Sequence, residues 1–351
     1  MEQQEMIKVG ISHGDINGIS YEVIIKTLMD NRINELCVPI VYGSAKVAAY
    51  HRKALGIQNF NLNIVKDADR ANTKKPNVIN CVDENIRVEL GKSVVNAGKA
   101  SVQALDKAVG DLKQGKIDVL VTAPINKENI QAEDFDFPGH TEYLMHHFPA
   151  EEVLMLMVSD VMRIGVVTGH VPLKQVPEIL TQDLILRKLN ILNKSLLQDF
   201  KIRKPRIAVF GLNPHASDGG VLGKEENDVI IPAIQRAKES NIMAFGPYPA
   251  DGFFGSKNLR KFDAILAMYH DQGLAPFKAI SFDEGVNYTA GLNIVRTSPG
   301  HGTAYDLAGK NEASPASFRN ALFLALDIFR NRKEYEELSS NPLESQDKSD
   351  I

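Results

Sequence analysis

Cysteine is scarce: Cys37 and Cys81 are the only two in 351 residues, and no C-x-x-C pair occurs. That argues against a disulfide framework and points to a reduced, cytoplasmic compartment with both thiols as small buried side chains. Long apolar runs are missing too. The greasiest stretch, VLMLMV at 153–158, is far too short to span a bilayer and ends at Ser159 and Asp160. The opening MEQQEMIKVGIS is acidic and lacks the apolar centre of a signal peptide. No Lys/Arg run reaches polybasic length, and the formal net charge of −4 gives no reason to expect nucleic acid or an anionic membrane as partner. Internal repeats and low-complexity linkers are also lacking. Finally, no G-x-G-x-x-G follows any apolar run, so a dinucleotide would need a surface other than the usual fingerprint loop. The expectation is a cytoplasmic globular protein, large enough to exceed one simple domain.

What is present is a rhythm of short apolar runs and helical patterns. The runs at 7–12, 38–43, 117–124, 163–170, 206–215 and 263–270 are continuous rather than alternating, which predicts strands of a sheet covered on both faces. Between them, 93–114 reads as a helix with a capping serine, Ser93. The stretch 181–200 reads as a helix capped by Thr181, with Asp183 in its first turn and a core stripe of Ile185, Leu189, Leu192, Leu196 and Phe200. ASFRNALFLALDIF, from 316, reads as a further core helix. Strand–helix alternation predicts an α/β/α sandwich with a largely parallel sheet.

Three of the predicted strands end in histidine: VVTGH (His170), VFGLNPH (His215) and AMYHDQG (His270). Ligands of α/β sheets collect outside the carboxyl ends of strands. A lone histidine is usually structural, but three at matched topological positions suggest one divalent cation with open positions left for substrate. Asp271 and Asp251 are candidate outer partners. Anion-binding residue types surround them: His140 and Thr141 in FPGHTEYL, Lys278 in APFK, Asn287 in EGVNYTAG and Arg296 in NIVRTS. Taken singly, each fits a surface salt bridge; the apolar and glycine-rich flanks of Lys278 and Arg296 favour phosphate or carboxylate. Lys127, in TAPINK, follows a buried strand and either reaches a cleft or caps a helix. The segment HGTAYDLAGKNEASP, 301–315, reads first as a solvated loop, yet its small residues leave room for something close to the backbone.

With GDINGIS, VTAPINK, FPGHTEYL, VVTGHVPL, GLNPHASDGG, GPYPADGFF, MYHDQGLAPFK and GVNYTAGLNIVRTSPGHGTAYDLAG in this order, the chain resembles the 4-hydroxythreonine-4-phosphate dehydrogenase family of vitamin B6 biosynthesis over nearly its whole length. The resemblance implies a two-lobed α/β/α fold like that of isocitrate and isopropylmalate dehydrogenases, without a Rossmann fingerprint. It implies a homodimer with the active site in the cleft between lobes. It also implies a cation held by His170, His215 and His270, one of them from the neighbouring subunit, and substrate contacts from His140, Thr141, Lys278, Asn287 and Arg296. The loop with His301, Gly302, Thr303, Ala304 and Asp306 resembles the one that wraps the adenosine half of NAD in β-decarboxylating dehydrogenases.

The reaction expected from the resemblance is NAD- or NADP-dependent oxidation of 4-phosphooxy-L-threonine followed by decarboxylation to 3-amino-2-oxopropyl phosphate. Zinc is the first choice of cation, with magnesium or cobalt as alternatives; Lys127, Asp251 or a water on the cation would accept the proton. The lobes are expected at 1–130 with 280–340, and at 131–279, followed by a polar tail at 341–351. Departures from the family pattern touch substrate choice. GDINGISYE stands for G-D-P-x-G-I-G-P-E, Gly252 follows PAD where threonine is usual, and Gly300 precedes His301 where aspartate is common. Oxidative decarboxylation of threonate or erythronate 4-phosphate is the nearest alternative. A metal-dependent hydrolase or lyase without nucleotide is a further one, and a non-catalytic binding protein on a phosphotransacetylase-like scaffold is another.

Overall fold

The computed structural model describes residues 6–131, 135, 137 and 139–341. Nearly all of the polar tail expected at 341–351 lies outside these residues. Twelve strands form one sheet: β1 (Lys8–Ser12), β2 (Val38–Gly43), β3 (Asn63–Val65), β4 (Asn77–Asn80), β5 (Val119–Thr122), β6 (Leu154–Val158), β7 (Arg163–Thr168), β8 (Arg206–Phe210), β9 (Met243–Tyr248), β10 (Ala264–Tyr269), β11 (Val286–Ala290) and β12 (Val295–Pro299). Their order across the sheet is β3-β4-β2-β1-β5-β12-β11-β6-β7-β10-β8-β9. The six strands from β3 to β12 are mutually parallel, and so are the four from β7 to β9. Between these blocks, β11 and β6 pair antiparallel with each other and with their outer neighbours. The blocks therefore run in opposite directions. A twist of roughly 20–25° per strand rotates β10 from β5, five strands away, by roughly 100–125°, so the carboxyl ends of both blocks can flank one cleft.

Side-chain alternation along the strands builds the two faces differently. On one face a single core runs the width of the sheet, from Val41 and Ile11 through Tyr288 and Leu156 to Met268 and Val209. It is covered by helices Ser20–Leu28, Gln182–Gln198 and Ala316–Ser339. The opposite face carries two separate cores. One joins Ile40, Tyr42 and Leu120 to helices Val95–Lys113 and His140–His147. The other joins Ile164, Val166 and Phe210 to helix His270–Ser281. Among the described residues no shared apolar layer bridges them, and the seam over β6, β11 and β12 is left open to a cavity.

The expected helices form, with one difference at a cap. Thr181 accepts from the Leu184 backbone N–H at 3.2 Å, and the stripe Ile185, Leu189, Leu192 and Leu196 is buried. Ser93 does not cap: the following helix begins at Val95, and the Ser93 hydroxyl accepts from Asn126 Nδ2 at 3.1 Å instead. Cys37 is buried as expected, whereas Cys81 is only partly so. Thr181→Ala should cost about 1 kcal/mol in urea unfolding, and Ser93→Ala less than about 0.5 kcal/mol.

Just past β1, His13 stacks on Tyr21 and Tyr21 on His51, with centroids 5.4 and 5.2 Å apart. Burial pushes the His13 imidazole down to about 4 against an opposing pull from the Ala100 backbone, and burial likewise lowers His51 to about 4. In the unfolded chain both rings take up protons near pH 6.5. The unfolded state thus binds more protons between pH 6.5 and 4, and stability is lost as pH falls through that window. Neither ring nitrogen of His13 makes a well-formed hydrogen bond. His13→Phe should therefore stabilise the fold by an amount that grows as pH drops below 6.5; a pH-independent difference in unfolding free energy would contradict this.

Candidate active site

The cavity at the seam, about 220 Å³, is floored by alternate residues of the central strands. Met157, Asn287 and Ser298 lie side by side in register across β6, β11 and β12. One step along β12, Arg296 is almost fully buried, and its hydrogen bonds go to the hydroxyls of Thr122, at 2.7 and 3.1 Å, and Thr289, at 3.2 Å. Among the described residues no carboxylate pairs with it. Burial lowers its pKa to about 10, with Glu142 pulling the other way. A buried cation without a counter-ion is costly, and one aimed at a cavity is a place for an anionic ligand.

The walls come from both blocks. After β10, His270, Leu274 and Lys278 are spaced four apart and share the face of helix His270–Ser281 that meets the cavity. His140 opens helix His140–His147, and Lys127 follows β5. Burial first, and then the charges of Arg296 and Lys127, hold His140 well below its ordinary pKa, so its imidazole is neutral at pH 7. Thr141 is next in that helix but does not line the cavity. The rim beyond β12 is His301 and Gly302.

The loop that begins there is tied down at several points. Ile19 donates to the Thr303 carbonyl at 3.0 Å, and a Cβ on Gly18 would sit 2.5 Å from that same oxygen. The Tyr305 hydroxyl donates to Asp15 Oδ2 at 2.7 Å, and Asn129 Nδ2 donates to the same oxygen at 2.8 Å. Lys26 donates to the Ala313 carbonyl at 2.8 Å, while Glu22 accepts from the Ala313 N–H at 2.9 Å. Ala304 is held at φ 42°, and Asp306 is exposed. A Cβ at Gly302 would meet nothing within 4 Å, leaving open space over the backbone.

The three strand-end histidines divide. β7, β10 and β8 are adjacent and parallel, so all three follow the carboxyl ends of one block. His170 and His270 have ring centroids 5.5 Å apart. His270 Nδ1 is bonded to Asp271 Oδ1 at 2.7 Å, which leaves Nε2 available, and partial burial, Lys127 and His270 lower the His170 pKa. His215 lies instead in a neighbouring cavity with Asp251, Tyr269 and Gln272. Among the described residues no three potential ligands gather within one chain. Lys127 and Asp251 thus line different cavities. Around His215 the backbone is left-handed for five residues, His215 to Gly219, at a cost of roughly 1–2 kcal/mol for each of the four that are not glycine. Such strain persists only where surrounding bonds enforce it.

Asp15, Tyr305 and Asn129 were not anticipated as site residues. The motif GDINGIS points to the neighbourhood of Asp15, but its partners are separated from it by more than a hundred residues of chain.

Residues 35–325 match the family model described as "Pyridoxal phosphate biosynthetic protein PdxA". A Bacteroides thetaiotaomicron protein named 4-hydroxythreonine-4-phosphate dehydrogenase is 52% identical over 345 residues, spanning 98% of this chain and 94% of that protein. The crystal structure of 4-hydroxythreonine-4-phosphate dehydrogenase from Klebsiella pneumoniae matches with a TM-score of 0.81 at 30% identity, over 93% of this chain and 99% of that one. Isocitrate dehydrogenase from Methylococcus capsulatus shares the fold, with a TM-score of 0.51 at 13% identity over 95% and 89% of the two chains. The class is therefore an oxidoreductase on the two-lobed, isocitrate dehydrogenase-like α/β fold. Within that class, the chain belongs to the PdxA family of pyridoxal phosphate biosynthetic proteins.

The unpaired guanidinium gives a direct test of the cavity's charge. Millimolar inorganic phosphate should raise the melting temperature of the unmodified protein by binding the folded state, and Arg296→Met should abolish that rise.

Proposed function

We propose that this chain oxidises 4-phosphooxy-L-threonine with NAD or NADP and a divalent cation, releasing carbon dioxide to give 3-amino-2-oxopropyl phosphate in pyridoxal 5'-phosphate synthesis. The observation that carries the proposal is Arg296, a buried cation facing a cavity and lacking a carboxylate partner among the described residues. It fits a phosphate ester. Lys278 and Asn287 line the same cavity and add donors, while neutral His140 offers one N–H without adding charge. Thr141, in the first turn of the same helix but outside the cavity lining, is the remaining member of the proposed set. Fixing the phosphate end lets remote binding energy orient the reacting carbons.

The donor chemistry of the strand-end histidines suits a divalent cation: His170 is favoured as neutral imidazole, and Asp271 orients the His270 ring. Two imidazoles from one chain, with His215 supplied by a second copy, make up the proposed ligand set; zinc is the first candidate, ahead of magnesium or cobalt. When bound, the cation would supply Lewis acidity at the substrate hydroxyl and the nicotinamide would supply a hydride acceptor. His301, Gly302, Thr303, Ala304 and Asp306 would hold the nucleotide, on a loop that the Asp15–Tyr305 bond keeps in place. Lys127 Nζ, close enough to His140 to depress its pKa, is the proposed proton carrier. Asp251 is assigned to the partner's site beside His215.

This reading implies a homodimer with lobes at 1–130 plus 280–340 and at 131–279. It also implies a cytoplasmic setting; among the described residues, no helix is long and apolar enough to cross a membrane. His215→Ala should abolish nicotinamide reduction while leaving the fold intact. Mixing His215→Ala with Arg296→Met chains should restore about a quarter of the sites in a randomly reassorted two-fold dimer. No recovery on mixing would mean that His215 serves its own chain's cavity, and full activity of His215→Ala would remove the cation from the reaction.

A further inference from the structure

We propose that Glu226 is a positioning residue for His215, holding the exposed left-handed loop in the shape that presents the imidazole to a cation. The inference rests on the three-histidine reading above. Glu226 is 1% exposed, yet it lies beneath a loop whose tip is open to solvent. Its Oε1 accepts from the backbone N–H groups of Leu212, at 2.8 Å, and Asn213, at 2.7 Å. Oε2 accepts from Asn213 Nδ2 at 2.9 Å, and that amide also reaches Glu225 at 2.7 Å. These are the two residues from which the chain enters Pro214 and His215. Gly211 leaves the space required, since a Cβ there would fall 3.0 Å from Glu226 Oε1 and 2.9 Å from Ala216 Cα.

The frame reaches the other histidine. Gln272 Nε2 donates to the Gly211 carbonyl at 2.7 Å, and Gln272 Oε1 accepts from the Met268 N–H at 2.7 Å, two residues before His270. Glu226 and Gln272 together lock the loop after β8 to the end of β10. His215 and His270 are thereby kept in fixed relation, although they open into different cavities.

Chemistry selects glutamate here. Both of its oxygens only accept when ionised, and three N–H donors converge on them. Glutamine must turn its NH₂ group either toward the Leu212 and Asn213 backbone or toward the Asn213 amide, leaving donors opposed in a buried site.

The test is a cobalt(II) titration of metal-free dimer, read by visible absorption, beside thermal melting without metal. The expected result for Glu226→Gln is a folded protein whose cobalt affinity falls roughly 10–100-fold, the range for losing a group that orients a ligand, with an altered cobalt spectrum. His215→Ala should lose at least as much. Glu226→Gln decides the matter if Glu226→Ala fails to fold. A lower melting temperature with unchanged cobalt affinity and spectrum in Glu226→Gln, while His215→Ala loses cobalt, overturns the role of Glu226 alone. Unchanged cobalt binding in His215→Ala overturns the three-histidine reading and this role with it.

Discussion

The arrangement turns on a guanidinium buried in a sheet. Arg296 lies in β12, level with Leu120 of β5 and almost fully buried, with Thr122, Asn287 and Ser298 beside it on the cavity floor. Two other buried charges, by contrast, have counter-ions: Asp199 meets Arg332 at 2.7 Å, and Lys188 meets Glu152 at 2.7 Å. Among the described residues Arg296 has two threonine hydroxyls as hydrogen-bond partners, enough to orient the group without neutralising it. Its position at the seam allows this: the antiparallel pair β6 and β11 separates two cores on that face, and the gap lets a charge be buried from bulk water yet open to a ligand.

The same field adds to burial in lowering the pKa of His140. Arg296 and Lys127 help keep His140 neutral, so it supplies direction rather than further charge. Around the cleft, mobile-looking polar loops are in fact braced from beneath. The loop after β12 is held by Asp15, the Ile19 backbone N–H and the Glu22–Lys26 pair. The loop after β8 is held by Glu226 and Gln272. In both, buried carboxyl groups accept backbone or side-chain donors, so exposed functional backbone is shaped by interior chemistry.

Much of this was legible along the chain. Continuous apolar runs marked β1, β2, β5, β7, β8 and β10 because those strands are covered on both faces, and Thr181 with its leucine stripe marked one of the helices that covers them. β11 and β12 escaped for a physical reason. VNYTA and VRTSP alternate because only one face is core while the other floors the cavity, so the features that make them functional disguise them as strands. VLMLMV, too short to cross a membrane, contains β6, the strand that creates the seam. β3, β4 and β9 are short or carry polar, glycine and proline residues. Ser93 looked like a cap because local sequence cannot reveal a distant competitor such as Asn126. The motifs carrying family resemblance pointed to most of the cavity lining, but Asp15, Tyr305 and Glu226 act through contacts that only folding creates. The strand-end pattern brought His170 and His270 together; it could not separate His215 into the adjoining cavity.

The most direct measurement of the central claim is a coupling cycle in kcat/KM. It compares 4-phosphooxythreonine with 4-hydroxythreonine, which lacks the phosphate, in the unmodified chain and in Arg296→Gln. If the buried guanidinium anchors the phosphate, removing that group should cost the unmodified chain roughly two orders of magnitude and cost the variant far less. Equal losses in both proteins would contradict the account.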